Sequence, residues 1–261
     1  STRILALKEQ VLKDLEIPFR KIEKISEENT LKVLTEMRKC RVSDIHFNTS
    51  SGYAYDDIGR TKLEELYAGV FGAESALVRT QFVSGTHALA TVLFGILRPG
   101  DRLVSLTGAP YDTMQTVIGH AVSSPGSLKE YGILYDELPL QNGCVAMEQI
   151  ASMLDEKTKV VLIQRSRGYS LRPTLCIEDI QAICEKVHHL KPDCICFVDN
   201  CYGEFVEWQE PTQVGADIMA GSLIKNPGGG LAPTGGYIAG RKDLIELASY
   251  RLTAPGMGAE L

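Results

Sequence analysis

Three short segments of this chain carry residue types that could act together in catalysis. Asp199 closes the apolar run CICFVDN, and a carboxylate there would stand at the mouth of a sheet, where open α/β sheets collect their ligands. The following Asn200 and Gly203 suit a turn, so local capping is the plainer reading of the same aspartate. Further along, Lys225 follows the short apolar run of GSLIKNPGGG and precedes Pro227 and three glycines. Such a loop lets backbone approach a ligand closely, and a lysine partly desolvated by it is a nucleophilic amine; a solvated loop lysine is the ordinary alternative. The third segment, SGTHALATVLFGILRPG, opens an amphipathic helix with Ser84, Gly85 and Thr86. Their N–H groups and the Thr86 hydroxyl suit a phosphate at the positive end of a helix dipole, although N-capping explains the Ser and Thr equally well.

In combination these segments match one cofactor, pyridoxal 5'-phosphate. Its aldehyde requires a lysine, its pyridine nitrogen a carboxylate that keeps it protonated, its phosphate N–H and hydroxyl donors, and its ring an aromatic or apolar face. Lys225, Asp199, the Ser84–Thr86 turn with Ser222, and Tyr111 fill those four roles.

The elements that must position them follow from hydrophobic periodicity. Strands are predicted at 76–78, 103–106, 133–138, 160–164, 194–198, 218–220 and 237–239, with helices at 86–97, 112–118, 147–154, 177–190 and 242–250 between them. This alternation predicts a mostly parallel seven-stranded sheet between helices, of α/β class. Residues 1 to about 43 read as an arm of two helices broken at Pro18. Cys194 and Cys196 alternate within CICFV and should face the same side of a buried strand.

Composition narrows the field. With 261 residues, 44% of them apolar and 23% charged, the chain can bury a large core and is not disordered. Its 27 basic and 33 acidic residues give a net charge of -6, so neither nucleic acid nor an anionic membrane is expected as partner. No apolar run approaches the ~20 residues of a membrane span. The first residues lack the pattern of a signal peptide, and the expected compartment is the cytoplasm. Seven cysteines without a CxxC pair argue against a disulfide framework, and five histidines without HxxxH or HExxH predict no metal site. No GxGxxG follows the first strand, which disfavours a dinucleotide domain.

The segments SGYAYDDIGRTKLEELYAGVFGAESALVR, VSGTHAL, PYDT, VVLIQRSRGYS, CFVDNCYGEF and GADIMAGSLIKNPGGGLAPTGGYIAG resemble the fold-type I pyridoxal-phosphate enzymes. Within them the sequence is similar to the cystathionine and methionine lyases, and most to the methionine gamma-lyase family branch described as aluminium resistance proteins. The resemblance covers nearly all of residues 45–258. It implies a helical arm over residues 1–45, a cofactor-binding large domain over 46–258, and a small C-terminal domain, carrying the arginine for the substrate carboxylate, that this sequence does not reach. It makes Lys225 the Schiff-base lysine and Asp199 the partner of the ring nitrogen. Phosphate falls to Gly85, Thr86 and Ser222, while Tyr111 stacks on the ring and serves proton transfer. Tyr55 and Arg60 become the pair that reaches the phosphate of a neighbouring subunit, which implies a homodimer or homotetramer. Two departures stand out: Ile224 occupies a position where many relatives have threonine, and 164–169 lacks Ser-Pro-x-Asn-Pro, which leaves Arg165 or Arg167 as substitute partner of the ring hydroxyl. The implied reaction is elimination of a thiol from the β or γ carbon of a sulfur-containing amino acid. Transamination, aldol cleavage and a non-catalytic chain of the same fold are the alternatives.

Overall fold

A computed structural model describes residues 2–50, 57–120 and 124–260. The arm comprises α1 (Thr2–Asp14) and α2 (Glu16–Lys39), separated only by Leu15. The break therefore precedes Pro18, contrary to expectation. Pro18 lies in the first turn of α2, where a helix has no internal acceptor for the N–H that proline lacks. The described part of the remainder runs α3 (Ile58–Phe71), β1 (Ser75–Arg79), α4 (Gly85–Ile96), β2 (Arg102–Ser105), α5 (Asp112–Ile118), β3 (Leu134–Glu137), α6 (Ile150–Met153), β4 (Thr158–Gln164), α7 (Ile177–Leu190), β5 (Ile195–Asp199), β6 (Ile218–Ser222), β7 (Gly236–Gly240) and α8 (Lys242–Ser249). All seven predicted strands are present.

The strands form one sheet in the order β1-β7-β6-β5-β4-β2-β3. Strand β7 is antiparallel to both neighbours and every other pairing is parallel. Two apolar layers cover the sheet, and strand parity assigns each residue to one of them. On one side Val161, Ile163, Cys196, Val198, Met219 and Tyr237 meet α3 and α7; the predicted shared face of Cys194 and Cys196 is this one. On the other side Val160, Leu162, Ile195, Phe197, Ile218 and Ala220 meet α4, α5 and α8. Helix α4 is buried along most of its length instead of presenting one polar face, because it packs on both β6 and β7 and is crossed by α8.

Parity continues past the apolar residues to the strand ends. Gln164 pairs with Asp199 and Asp199 with Ala220, so the carboxyl ends of β4, β5 and β6 lie level. Gln164, Asp199 and Ser222 have the parity of the α4 side, whereas Arg165 has that of the α7 side.

Candidate active site

Asp199 is buried at the end of β5, where its Oδ1 accepts the N–H of Cys201 at 3.1 Å. Burial pushes its carboxyl above the ordinary range, partly offset by the Cys201 bonds and by the positive charge of Lys225. That electrostatic coupling links two groups distant in sequence. The half-buried Lys225 ammonium neighbours the Cys201 thiol and lies over the Tyr202 ring, 4.2 Å from its centroid. Burial alone would lower its pKa, yet Cys201, Asp199 and Tyr202 together hold it above the ordinary value. In the chain on its own these neighbours favour the ammonium form of Lys225.

The loop that carries Lys225 starts from Ser222, a buried residue whose carbonyl accepts the Lys225 N–H at 3.4 Å. Opposite stands the first turn of α4. A Cβ at Gly85 would lie 2.7 Å from Ser222 Cβ, so the absence of a side chain there brings the helix N-terminus against the end of β6. Ser84 is the N-cap, its hydroxyl accepting the His87 N–H at 3.1 Å. Its side chain is therefore spent on the helix, and the capping alternative describes it. The Thr86 hydroxyl points instead toward Tyr111, with 3.1 Å between the two oxygens.

Tyr111 is fixed from below. Its N–H donates to Gln164 Oε1 at 2.9 Å, while Gln164 Nε2 donates to the Ser166 carbonyl at 3.0 Å. Arg172 holds the same turn by donating to the carbonyls of Gln164 and Ser166 at 2.8 and 2.6 Å. Burial, with the nearby Asp199 charge, raises the Tyr111 phenol to about 12, so it keeps its proton through the neutral range. Beside Tyr111 opens a cavity of about 430 Å³ bounded by Gln115, Glu137, Gln164, Arg167 and Arg172.

The other face of the sheet carries a buried polar network that the sequence reading did not anticipate. Tyr237 donates to Glu204 Oε1 at 2.8 Å, and Asn200 donates to Glu210 Oε2 at 3.1 Å. Arg165 donates to Asn200 Oδ1, the Gly203 carbonyl and Glu207 Oε1 at 2.9, 2.8 and 2.5 Å. Its guanidinium is thereby engaged on the α7 side of the sheet, away from Asp199, whereas Gln164 and Arg167 line the cavity beside Tyr111. The network clamps the turn after Asp199, in which Tyr202 and Phe205 take left-handed φ values of +68° and +62°. Gly203 admits no Cβ, since one would sit 2.4 Å from Arg165 Cδ.

The remaining predicted residues are placed elsewhere or not described. Arg60, in the first turn of α3, lines a separate cavity of about 540 Å³ with Met37, His46, Leu63, Val78 and Arg79. Tyr55 lies outside the described residues. Ile224 is exposed, so no hydroxyl substitutes at its position. Cys201, Tyr202, Gln164 and Arg172 were missed. The first two stand in the motif that yielded Asp199, and strand parity singles out Gln164.

The residues present fit pyridoxal 5'-phosphate. Gly85 packs against Ser222 too closely for a Cβ, which brings the first turn of α4 to the end of β6, and the buried Asp199 carboxylate and the Lys225 amine are near enough to interact electrostatically. Among sequences of known families, the methionine gamma-lyase model matches residues 4–261. An uncharacterised Bacillus subtilis protein, YnbB, is 53% identical over 243 residues, 92% of this chain and 58% of that protein. A Clostridium novyi crystal structure, described as a carbon-sulfur lyase involved in aluminium resistance, superposes with a TM-score of 0.95 at 52% identity, covering 100% of this chain and 62% of its own. The L-methionine gamma-lyase of Fusobacterium nucleatum subsp. polymorphum is 27% identical over 200 residues, 75% of this chain and 42% of that enzyme. The architecture is that of the fold-type I pyridoxal-phosphate enzymes. This chain spans less than two thirds of the length of these relatives.

Proposed function

We infer, for a chain that belongs to the methionine gamma-lyase family, that its site serves a pyridoxal-phosphate-dependent carbon-sulfur lyase acting on a sulfur-containing amino acid. The observation that carries this reading is the electrostatic coupling of Asp199, at the end of β5, with Lys225, three residues past Ser222, at the strand end where the first turn of α4 packs through Gly85.

Pyridoxal 5'-phosphate, when bound, supplies a carbonyl that condenses with amines and a protonated ring that withdraws electrons from the substrate α-carbon. Asp199 is suited to hold the proton at the ring nitrogen. The cation also removes the cost of a buried carboxylate without a full counter-charge. The N–H groups of Gly85 and Thr86 and the Ser222 hydroxyl are suited to the phosphate. Lys225 Nζ would hold the cofactor through its aldehyde carbon and, as a free amine, would be the base that takes the substrate α-proton. Asp199 and Tyr202, which favour its charged form, help it retain that proton afterwards. Tyr111, a phenol with its proton in place, would pack on the ring and donate to the departing thiol. Arg167 and Arg172 border the cavity beside Tyr111 and give it positive charge suited to an anionic amino acid. The same reading makes the working protein a homo-oligomer in which Tyr55 and Arg60 reach a neighbouring site.

The test is direct. Protein loaded with pyridoxal 5'-phosphate is reduced with borohydride and mapped by mass; pyridoxyl label at Lys225 is expected, and label at another lysine overturns the assignment. Incubation with methionine, cystathionine and cysteine should release thiol and keto acid without an added keto-acid acceptor. Amino-group transfer that requires such an acceptor would indicate a transaminase instead. In Asp199→Ala, cofactor retention and turnover should both fall, and undiminished turnover would remove the electron-withdrawing role.

A further inference from the structure

At the amino ends of β5 and β6, at the other end of these strands from Asp199, four metal-ligating side chains meet. Cys184 and His188 lie one turn apart on α7 and therefore on one helix face. Cys196 projects from β5 toward that face, and Asp217 immediately precedes β6. His188 Nε2 lies 2.9 Å from Asp217 Oδ2, which also accepts the Cys196 N–H at 2.8 Å. The ligand atoms of His188, Cys196 and Asp217 all fall within 4.8 Å of one another. The Cys184 thiol neighbours the Cys196 thiol and helps to raise its pKa. Both sulfurs are buried, whereas the His188 side chain is 32% exposed and leaves a route in from solvent.

We propose that Cys184, His188, Cys196 and Asp217 form a binding site for a borderline-soft divalent cation of the zinc class, remote from the lysine site. Two sulfurs, one imidazole nitrogen and one carboxylate oxygen are the donor set such an ion prefers. Metal–ligand distances of roughly 2.0–2.3 Å set neighbouring donors in a tetrahedral site roughly 3.3–3.8 Å apart, so His188, Cys196 and Asp217 need a contraction of about 1 Å or a little more, and the Cys184 thiol, outside that set of three, turns in as the fourth donor. On loading, both thiols give up their protons to solvent and His188 ligates through Nε2 with the ring proton on Nδ1: one divalent ion enters and two protons leave. Two thiolates, one carboxylate and the ion carry a net charge of -1. Arg241, whose Nη1 donates to Asp217 Oδ1 at 3.0 Å, offsets it and fixes the carboxylate's orientation. Reading along the chain for HxxxH and CxxC could not find this site, because its local half is a mixed CxxxH and its other half comes from two separate parts of the sheet.

Cobalt(II) titration of the chelator-treated full chain tests the proposal. One equivalent should bind with a near-ultraviolet thiolate-to-cobalt band and visible bands of tetrahedral intensity, and zinc should displace it. His188→Gln, at a partly exposed position, should weaken binding at least ~10-fold, and Cys196→Ser should remove the thiolate band. Cys144→Ser, at an exposed thiol elsewhere, should leave both unchanged. A wild-type chain without the thiolate band, or a band and affinity preserved in His188→Gln, overturns the site whether or not Cys196→Ser folds.

Discussion

Glu204 has no solvent exposure and, among the described residues, no hydrogen-bond partner for Oε2, while Oε1 takes the Tyr237 hydroxyl. Burial raises its pKa to about 8. The folded chain therefore binds a proton that the unfolded chain releases near the ordinary value of about 4.5. The stability that this proton provides is complete below that value, declines as pH rises, and is gone above about 8. Its size is roughly 3–5 kcal/mol, from about 1.4 kcal/mol per pKa unit. Urea unfolding between pH 5 and pH 8 should show the fall, and Glu204→Gln, which stays neutral, should flatten the profile; parallel slopes in both proteins would place the titration elsewhere. Tyr111 permits a second test on the other face of the sheet. Because its phenol remains protonated to about 12, Tyr111→Phe keeps the ring face and deletes only the donor. Turnover should fall about 100-fold while cofactor affinity changes little. A loss confined to cofactor affinity would make the hydroxyl a binding group.

Position along an element decides which side chains can meet, and the clearest case is the contact of α4 with β6. At Gly85 the helix N-terminus touches the strand end that carries Ser222, with no space for a methyl group. Gly85→Ala should force the two apart, at a cost of about 1–3 kcal/mol in stability. The cofactor should bind more weakly by a larger factor than in Thr86→Ala, which keeps the packing; thermal melts and spectroscopic titration measure the two effects, and a larger loss in Thr86→Ala would show that the hydroxyl matters more than the close approach. Much of this level was legible in the sequence. Short β-rich runs with Gly or Pro at the handovers marked every strand, and Asp199 stood out because it closes one. What escaped was set by partners far away along the chain. Arg165 follows Gln164 by one residue, and period-2 alternation sends it through to the α7 side, where Asn200 and Glu207 wait. Alternation was legible; the acids were not, because they come from loops that only the strand order brings beneath β4. The break in the arm was misplaced for a local reason: a proline in the first helical turn displaces no hydrogen bond, so the helix begins before it.

The two helices of the arm contribute very differently to the whole molecule. Helix α2 is tied to the turn behind the site, since the buried Asn29 donates to the carbonyls of Phe205 and Glu207 at 3.1 and 3.0 Å. Asn29→Ala should leave both carbonyls without their donor and cost about 1–3 kcal/mol in the single chain. Helix α1 buries no residue, and Ile4, Leu5, Leu7, Val11 and Leu12 are exposed along its 13 residues. A helix of that length is marginal in water by itself, and this one carries apolar surface that packing has not covered. In the homo-oligomer proposed above, that surface is available for contact between subunits. Deleting residues 2–14 should then lower the mass measured by light scattering and abolish the concentration dependence of thermal unfolding, while the melting midpoint of the dilute, dissociated chain stays where it was. Asn29→Ala should do the reverse, lowering the dilute midpoint and leaving the mass unchanged. A deletion that keeps the full mass would assign assembly to other surfaces, and one that unfolds the dilute chain would show that α1 supports the fold of its own subunit.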